Sequence, residues 1–464
     1  MICSVFSDFK MKNAEKKLLV LLLLKAFTVL CVYLYYDNML AVGTTFKSRA
    51  VTAHDRLTHY QPFTESADQG SANEVQSKCS NFRSPSSDMT SQTWIPLTDR
   101  NNTYIYSAYY VKSGTEYKVV IIGAHRGWEH GEQFVCQLWY LNDRTRIIGS
   151  MVEEPSSVSK LPEGHGLRYS ARLFTCPLSS DKVPSYVSIV EKSCNTPKSL
   201  LPVQVNNKPE VSNRKFTMCL SPLHSKFSDA HQIIEYIELN VILGADKFVI
   251  YNYSMAENVA EVLKYYSRKG IVEVHEWKPP IVDEIHYFGQ VMVLNDCLYR
   301  NKNKSEYIVC TDLDEFIIPH SDQTNNWSDM VEQVNDTGDV YLFRNTFFGT
   351  NWNNEDTGTH NSLIDKYKLR TLRTFYHQKK IYGAAIRSKY IARTATVSQV
   401  MIHEVRGGGL KTGVVPIDNA YLHHYRHLDS DEENVPKVLD KTIRNKFEKE
   451  LINNVQKVWT ELKR

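Results

Sequence analysis

The chain predicts an α/β fold. A mostly parallel sheet flanked by helices is expected over residues 215–464, preceded by a smaller β-rich, sandwich-like region and, before both, a stem and one membrane-spanning helix. Three observations carry this prediction. After Arg214, strand-like and helix-like apolar runs alternate through four strands in succession. Between Trp94 and Cys194, short β-prone runs recur with turn residues between them. Near the start, residues 18–36 form one apolar segment. The full length of 464 residues suits two or three domains, and a formal net charge of +3 leaves no broad electrostatic footprint for nucleic acid.

At ~1.5 Å per residue, the apolar segment at 18–36 reaches roughly 28 Å, enough to cross a bilayer core. Lys10, Lys12, Lys16 and Lys17 precede it and Asp37 follows. The positive-inside rule then keeps residues 1–17 cytosolic and sends the remainder to the lumen. Tyr33, Tyr35 and Tyr36 fall at the far interface, where aromatic belts form. Lys25 opposes the assignment, because a mid-span lysine costs about 2.5–3.5 kcal/mol unless it snorkels or pairs. The rival is a cleaved signal peptide with residues 18–24 as its hydrophobic region. No small-residue cleavage site follows closely, which favours an uncleaved signal anchor. Residues 37–91 are polar, with no sustained period, and read as a flexible stem.

Five Asn-x-Ser/Thr triplets, at Asn101, Asn252, Asn303, Asn326 and Asn335, agree with a secretory lumen. Of nine cysteines, Cys3 and Cys31 belong to the tail and the span. The other seven face an oxidising compartment, and an odd number permits a free thiol or a covalent homodimer.

The β-rich region, 92–200, reads as an extension packed against the α/β region. Its tryptophans Trp94, Trp128 and Trp139 are core residues on that reading, and sugar-stacking residues on a sharper one. Residues 200–214, with Pro202 and Pro209, resemble a linker. The alternating series then begins. Strands are expected at 215–220, 247–251, 271–276 and 307–311, and helices at 228–243, 257–269 and 286–300. Gly244 and Gly270 stand where two of the helices end. Four strands joined by three helices argue for right-handed crossovers and a parallel sheet. Ligands of such sheets bind beyond the carboxyl ends of the strands.

The fourth strand ends there in Asp312-Leu313-Asp314. Buried strands rarely finish in a cluster of charge, because desolvating carboxylates is costly unless a positive group meets them. Hard carboxylate oxygens suit Mn²⁺ or Mg²⁺, which would bridge the two phosphates of a nucleotide sugar. An Asp-x-Asp-x-Thr/Val phosphatase fits less well, because Phe316 stands two residues after Asp314.

Five segments together resemble glycosyltransferase family 92, whose members include nematode Golgi galactosyltransferases. They are CLSPLH at 219–224, EYIELNVILGADKFVIYNYS at 235–254, YIVCTDLDEFIIP at 307–319, FFGT at 347–350 and LHHYRH at 422–427. The resemblance implies a GT-A fold, a divalent metal, a UDP-sugar donor (UDP-galactose in characterised members) and inversion at the anomeric carbon. By position it makes Asp312 and Asp314 the metal and diphosphate carboxylates. Glu315 becomes a neighbouring ligand or a helix-starting charge.

A late histidine often completes such metal sites. His403 is isolated, whereas His423, His424 and His427 surround Tyr425-Arg426. His424 is the expected ligand, and Arg426 the expected diphosphate contact. Ser221 to His224 would border the nucleobase. Inversion needs a base within reach of the acceptor hydroxyl, for which Glu355 and Asp356 are candidates, with Trp352 stacking on a sugar. Glu235 and Glu238 read as surface or packing residues of their helix. The expected protein is a single-pass type II Golgi membrane enzyme that moves galactose onto a glycan of a glycoprotein or glycolipid. A membrane-anchored glycan-binding protein without catalysis is the second reading.

Overall fold

The computed structural model describes residues 94, 96–97, 102–127, 133–141, 148–206, 214–334, 338–352 and 362–463. The expected anchor at 18–36 and the stem lie outside the described residues. Among those described, no helix is long and apolar enough to cross a membrane.

The β-rich region holds eight described strands: β1 (Thr103–Ser113), β2 (Glu116–Arg126), β3 (Val135–Leu141), β4 (Ile148–Pro155), β5 (Ser157–Lys160), β6 (Tyr169–Leu178), β7 (Tyr186–Val190) and β8 (Leu201–Gln204). They are ordered β4-β3-β7-β8-β1-β2-β6-β5. The arrangement folds over so that the disulfide Cys136–Cys176 joins β3 to β6 across a core containing Val119, Ile121, Leu138 and Phe174. The continuous run VVIIGA in β2 has a physical reason: its alternate residues face two cores. Val119 and Ile121 fill the sandwich, while Val120, Ile122 and Ala124 pack on a helix of the following region.

That region opens with β9 (Phe216–Leu220), α1 (Ala230–Ile242), β10 (Ala245–Asn252), α2 (Glu257–Arg268), β11 (Val272–Glu276), α3 (Gln290–Asn301) and β12 (Tyr307–Thr311). Asp229 caps α1, its carboxylate accepting the Gln232 amide. The four strands lie in the order β11-β10-β9-β12, all parallel. The chain winds to one side and then crosses to the other, so the strand order reverses between β9 and β12. A crevice for ligands opens at such a switch point. Disulfide Cys219–Cys297 ties β9 to α3, and Cys310 of β12 is a buried free thiol.

Two features depart from the expected fold. The seven-stranded sheet is mostly parallel, as expected, but it is mixed by one reversed strand. After β13 (Glu315–Pro319), β14 (Val340–Phe343), β15 (Asn345–Gly349) and β16 (Tyr376–Gln378), strand β17 (Lys389–Arg393) runs antiparallel to β12 and to β14. A ribbon of β18 (Gln399–Val400) and β19 (Val405–Arg406) precedes β20 (Thr412–Val414), which completes this seven-stranded sheet. A further sheet, ordered β13-β21-β15-β16-β22, is formed with β21 (Ala420–Arg426) and β22 (Lys437–Leu439). A long helix, Thr442–Leu462, comes last.

The second departure concerns the helix expected from 286. It starts at Gln290, because Tyr287 and Phe288 adopt left-handed backbone (φ 43° and 57°). Such a conformation costs an L-residue roughly 1–2 kcal/mol and cannot continue a right-handed helix.

Candidate active site

Strand β12 delivers its acidic end beside β9. The turn after it is locked: the Glu315 amide donates to the Asp312 carbonyl (3.1 Å), the Asp312 amide to Glu315 Oε2 (2.9 Å) and the Tyr425 amide to the Asp314 carbonyl (2.8 Å). Glu315 is therefore the first residue of β13, not a helix-starting charge, and it is buried.

Asp312 is held on both oxygens. Ser221 Oγ and Gln290 Nε2 (3.1 Å) donate to Oδ1, and Lys389 Nζ lies 2.8 Å from Oδ2. Lys389, first residue of β17, is 3% exposed and also sits 3.2 Å from Glu315 Oε2. Burial pushes the Asp312 carboxyl up, but the adjacent Lys389 ammonium, with the Ser221 hydrogen bond and His424, outweighs it and brings the pKa down to about 2. Lys389 is raised in turn, the two carboxylates overcoming the cost of its burial. Burial raises Glu315 against the pull of Lys389.

Asp314 faces His424. The antiparallel register of β13 and β21 sets Glu315 opposite His424. Glu315 Oε1 lies 3.2 Å from His424 Nδ1, and Asp314 Oδ2 3.4 Å from His424 Nε2. With Nδ1–H given to Glu315, Nε2 points at Asp314. A carboxylate behind an imidazole fixes the orientation of a metal-binding histidine in this way. Burial works against a proton on His424, but Glu315 and Asp314 together outweigh it and raise the pKa.

A cavity of about 440 Å³ opens here at the switch point, bordered by Ser221, His224, Lys226, Tyr287, Asp312 and Asp314. His224 stacks on Phe288 (4.2 Å between centroids) and meets Tyr287 edge-on (5.2 Å), while Tyr287 itself stays 47% exposed. A larger cavity, about 890 Å³, lies against α1, α2 and the C-terminal helix, and none of the residues of this cluster line it.

The structure thus brings Ser221, His224, Asp312, Asp314 and His424 to one cavity or its immediate rim. Arg426 is two residues further along the face of β21 that carries His424. It lies over the Phe347 ring (5.0 Å) and 3.4 Å from Glu432. Glu355 and Asp356 lie outside the described residues. Trp352, expected to stack on a sugar, is instead 7% exposed in a small core with Phe347 and Leu428. It packs so closely over Gly349 that a Cβ there would come within 2.6 Å of the indole, which explains the glycine of FFGT. Glu235 accepts the Arg370 and Thr371 amides, and Glu238 the Tyr266 hydroxyl, so both are packing residues. His403 bonds the Ser388 carbonyl (3.2 Å), and burial lowers its pKa to about 4.

Sequence reasoning missed Lys389, Gln290 and Tyr287. The one available signal was the positive partner that an acidic strand end demands. Of the tryptophans weighed as sugar contacts, Trp139 is buried and Trp94 packs against Tyr106 and Trp277. Trp128 lies outside the described residues.

Residues 214–463, more than half of the chain, match the family model described as glycosyltransferase family 92. The chain belongs to glycosyltransferase family 92. Its relatives include beta-1,4-galactosyltransferase galt-1 of Caenorhabditis elegans, 28% identical over 208 residues that make up 42% of this chain and 49% of the relative. Galactan beta-1,4-galactosyltransferase GALS2 of Arabidopsis thaliana is 32% identical over 105 residues, 22% of this chain and 20% of the relative. The chain thus spans half or less of the length of these curated relatives. Among solved structures, S. aureus TarS 1-349 in complex with UDP-GlcNAc aligns at 12% identity and a TM-score of 0.26, covering 48% of this chain and 61% of that one. At that TM-score the likeness assigns neither fold nor ligand. The family 92 segment contains all of the cavity's acidic and imidazole groups.

Proposed function

We propose that this family 92 member is a GT-A-type galactosyltransferase that moves galactose from UDP-galactose to a glycan of a glycoprotein or glycolipid, with inversion and with a divalent metal. On this reading it works in the Golgi lumen, held by its N-terminal segment. The donor and the linkage chemistry rest on the family and on the names of its relatives. The observation that carries the site is Asp314 Oδ2 facing His424 Nε2 at 3.4 Å, on the rim of a cavity at the strand carboxyl ends.

The donor set fits Mn²⁺ or Mg²⁺. Asp312 Oδ1 already accepts two hydrogen bonds and Oδ2 one, so Asp312 has a single lone pair to offer. Asp314 and His424 Nε2 supply the remaining donors. A bound divalent ion would neutralise the leaving diphosphate as a Lewis acid. The chain's own residues do the rest. Lys389 keeps Asp312 ionised, and Glu315 fixes the tautomer and direction of His424. Tyr287 and His224 offer ring faces to a nucleobase. Arg426 supplies positive charge beyond His424, and Glu355 or Asp356 would receive the acceptor proton.

The test is UDP release from a panel of UDP-sugars with a glycan acceptor, with Mn²⁺ or after chelation. We expect UDP-galactose to be preferred, and Asp314→Asn and His424→Ala to lose at least 100-fold in turnover while keeping a native circular dichroism spectrum, consistent with loss of electrostatic stabilisation of about 2.7–4 kcal/mol. Full turnover in either variant, or in chelator, defeats the metal assignment. Preference for another UDP-sugar defeats the donor assignment alone.

A further inference from the structure

We propose that His320, His423 and Asp440 form a second metal site, suited to Zn²⁺, which pins the C-terminal helix to the β13–β21 pair. Among the described residues this is the group whose three ligand atoms converge. His320 Nε2 and His423 Nε2 are 2.8 Å apart, and Asp440 Oδ2 lies 3.8 and 3.4 Å from them. These separations bracket the edge of about 3.4 Å in a tetrahedron whose donors stand ~2.1 Å from a central zinc.

Each ligand is also held from behind. His320 Nδ1 meets Thr442 Oγ1 at 3.3 Å, and His423 Nδ1 meets the Tyr425 hydroxyl at 3.2 Å. Asp440 accepts from the Tyr421 hydroxyl (2.5 Å) and the Thr442 amide (2.8 Å). In the tautomers that donate both Nδ1–H groups outward, two imine lone pairs and a carboxylate face one another. That arrangement repels itself unless a cation lies between them. The surroundings are closed: His423 is 1% exposed and stacks on Phe348, and His320 stacks on Tyr421. Three protein ligands leave a fourth position to a water.

The site is separate from the donor cavity although the two adjoin in sequence. His423 and His424 are consecutive residues of β21, so they point to opposite faces of the sheet. His424 meets Asp314 and Glu315, whereas His423 meets Asp440. The other ligands come from the end of β13 and from the segment between β22 and the helix Thr442–Leu462. Lys446 of that helix already donates to the carbonyls of Pro319, Ser321 and Thr324, so an ion here would complete an existing junction.

The experiment strips the purified protein with chelator, titrates Zn²⁺, and reads zinc per chain after gel filtration together with the thermal midpoint. One zinc per chain and a midpoint higher by several degrees are expected. Both should be lost in His320→Gln and Asp440→Asn, and both kept in Asp314→Asn. Less than half an equivalent of zinc with an unmoved midpoint in the unmutated protein would overturn the proposal and leave a proton-bridged histidine pair. Zinc lost in Asp314→Asn would also overturn it by placing the ion at the donor cavity. If the ligand variants do not fold, Co²⁺ added to the unmutated protein decides the matter. Intense visible bands of tetrahedral cobalt support the site, and their absence refutes it. No outcome here depends on sugar transfer.

Discussion

Lys389 meets the demand that the acidic strand end creates. A buried lysine is rare unless paired, and this one is shared between Asp312 and Glu315. Removing it leaves the buried Glu315 and the half-buried Asp312 without their counter-charge. Lys389→Met should therefore lower stability by about 3–5 kcal/mol and abolish UDP release, read by chemical denaturation and the donor assay. A variant with unchanged stability would show that the carboxylates find another partner. The need for positive charge beside Asp312 was legible from the chain. Its supplier was not, because Lys389 arrives across an antiparallel strand pair 77 residues further on, with no motif around it. The carboxylate behind His424 escaped for the same reason: Glu315 is adjacent to Asp314 in the chain, but only strand register turns it toward β21.

Helix α3 is the element on which both halves of the molecule lean. Its Asp296 is buried, accepting the hydroxyls of Ser107, Tyr109 and Tyr251 and pairing with Arg300 at 3.0 Å. Replacing it with asparagine leaves Arg300 without its counter-charge, and a loss of about 3 kcal/mol or more is expected. Burial pushes this carboxyl up, but Arg300 and the three hydroxyls outweigh that and hold it below the ordinary value of 3.8. A folded-state pKa below the unfolded one stabilises fully above the unfolded value and is lost as pH falls through the folded value. The difference in unfolding free energy between the native protein and Asp296→Asn should thus hold near neutrality and narrow below about pH 4. A difference that stays constant down to pH 2 would contradict this.

Just before α3, the left-handed Tyr287 stores strain of about 1–2 kcal/mol beside the cavity. Tyr287→Gly is expected to relieve part of it and yet raise the KM for UDP-galactose. An unchanged KM would remove Tyr287 from donor binding. Helical periodicity over 286–300 did not reveal this break, since it reports which face is apolar and not where the backbone turns over.

At the scale of the whole molecule, the β-rich region and the family 92 segment share a core. Tyr106, Tyr109, Val120 and Ile122 pack with Trp277, Val291, Leu294 and Leu298 in one cluster. A chain beginning at residue 214 would expose that side of α3. We expect it to aggregate or to unfold without cooperativity in calorimetry, whereas residues 92–464 should melt in a single transition. A soluble, cooperatively folding 214–464 would show that the shared core is dispensable.

What the chain alone determined is local or periodic. The four parallel strands and the helices between them declare themselves through apolar spacing and end signals, and the acidic pair stands at the mouth of the last strand because a parallel sheet leaves it nowhere else. Only the tertiary structure decided the rest: the reversed strand β17 and the strands beyond it, the additional sheet, Lys389 on Asp312, Glu315 behind His424, and His423 turned away toward Asp440. Those contacts join short strands remote in sequence, and a strand's partner depends on register and backbone hydrogen bonds, which leave no period for a sequence to display.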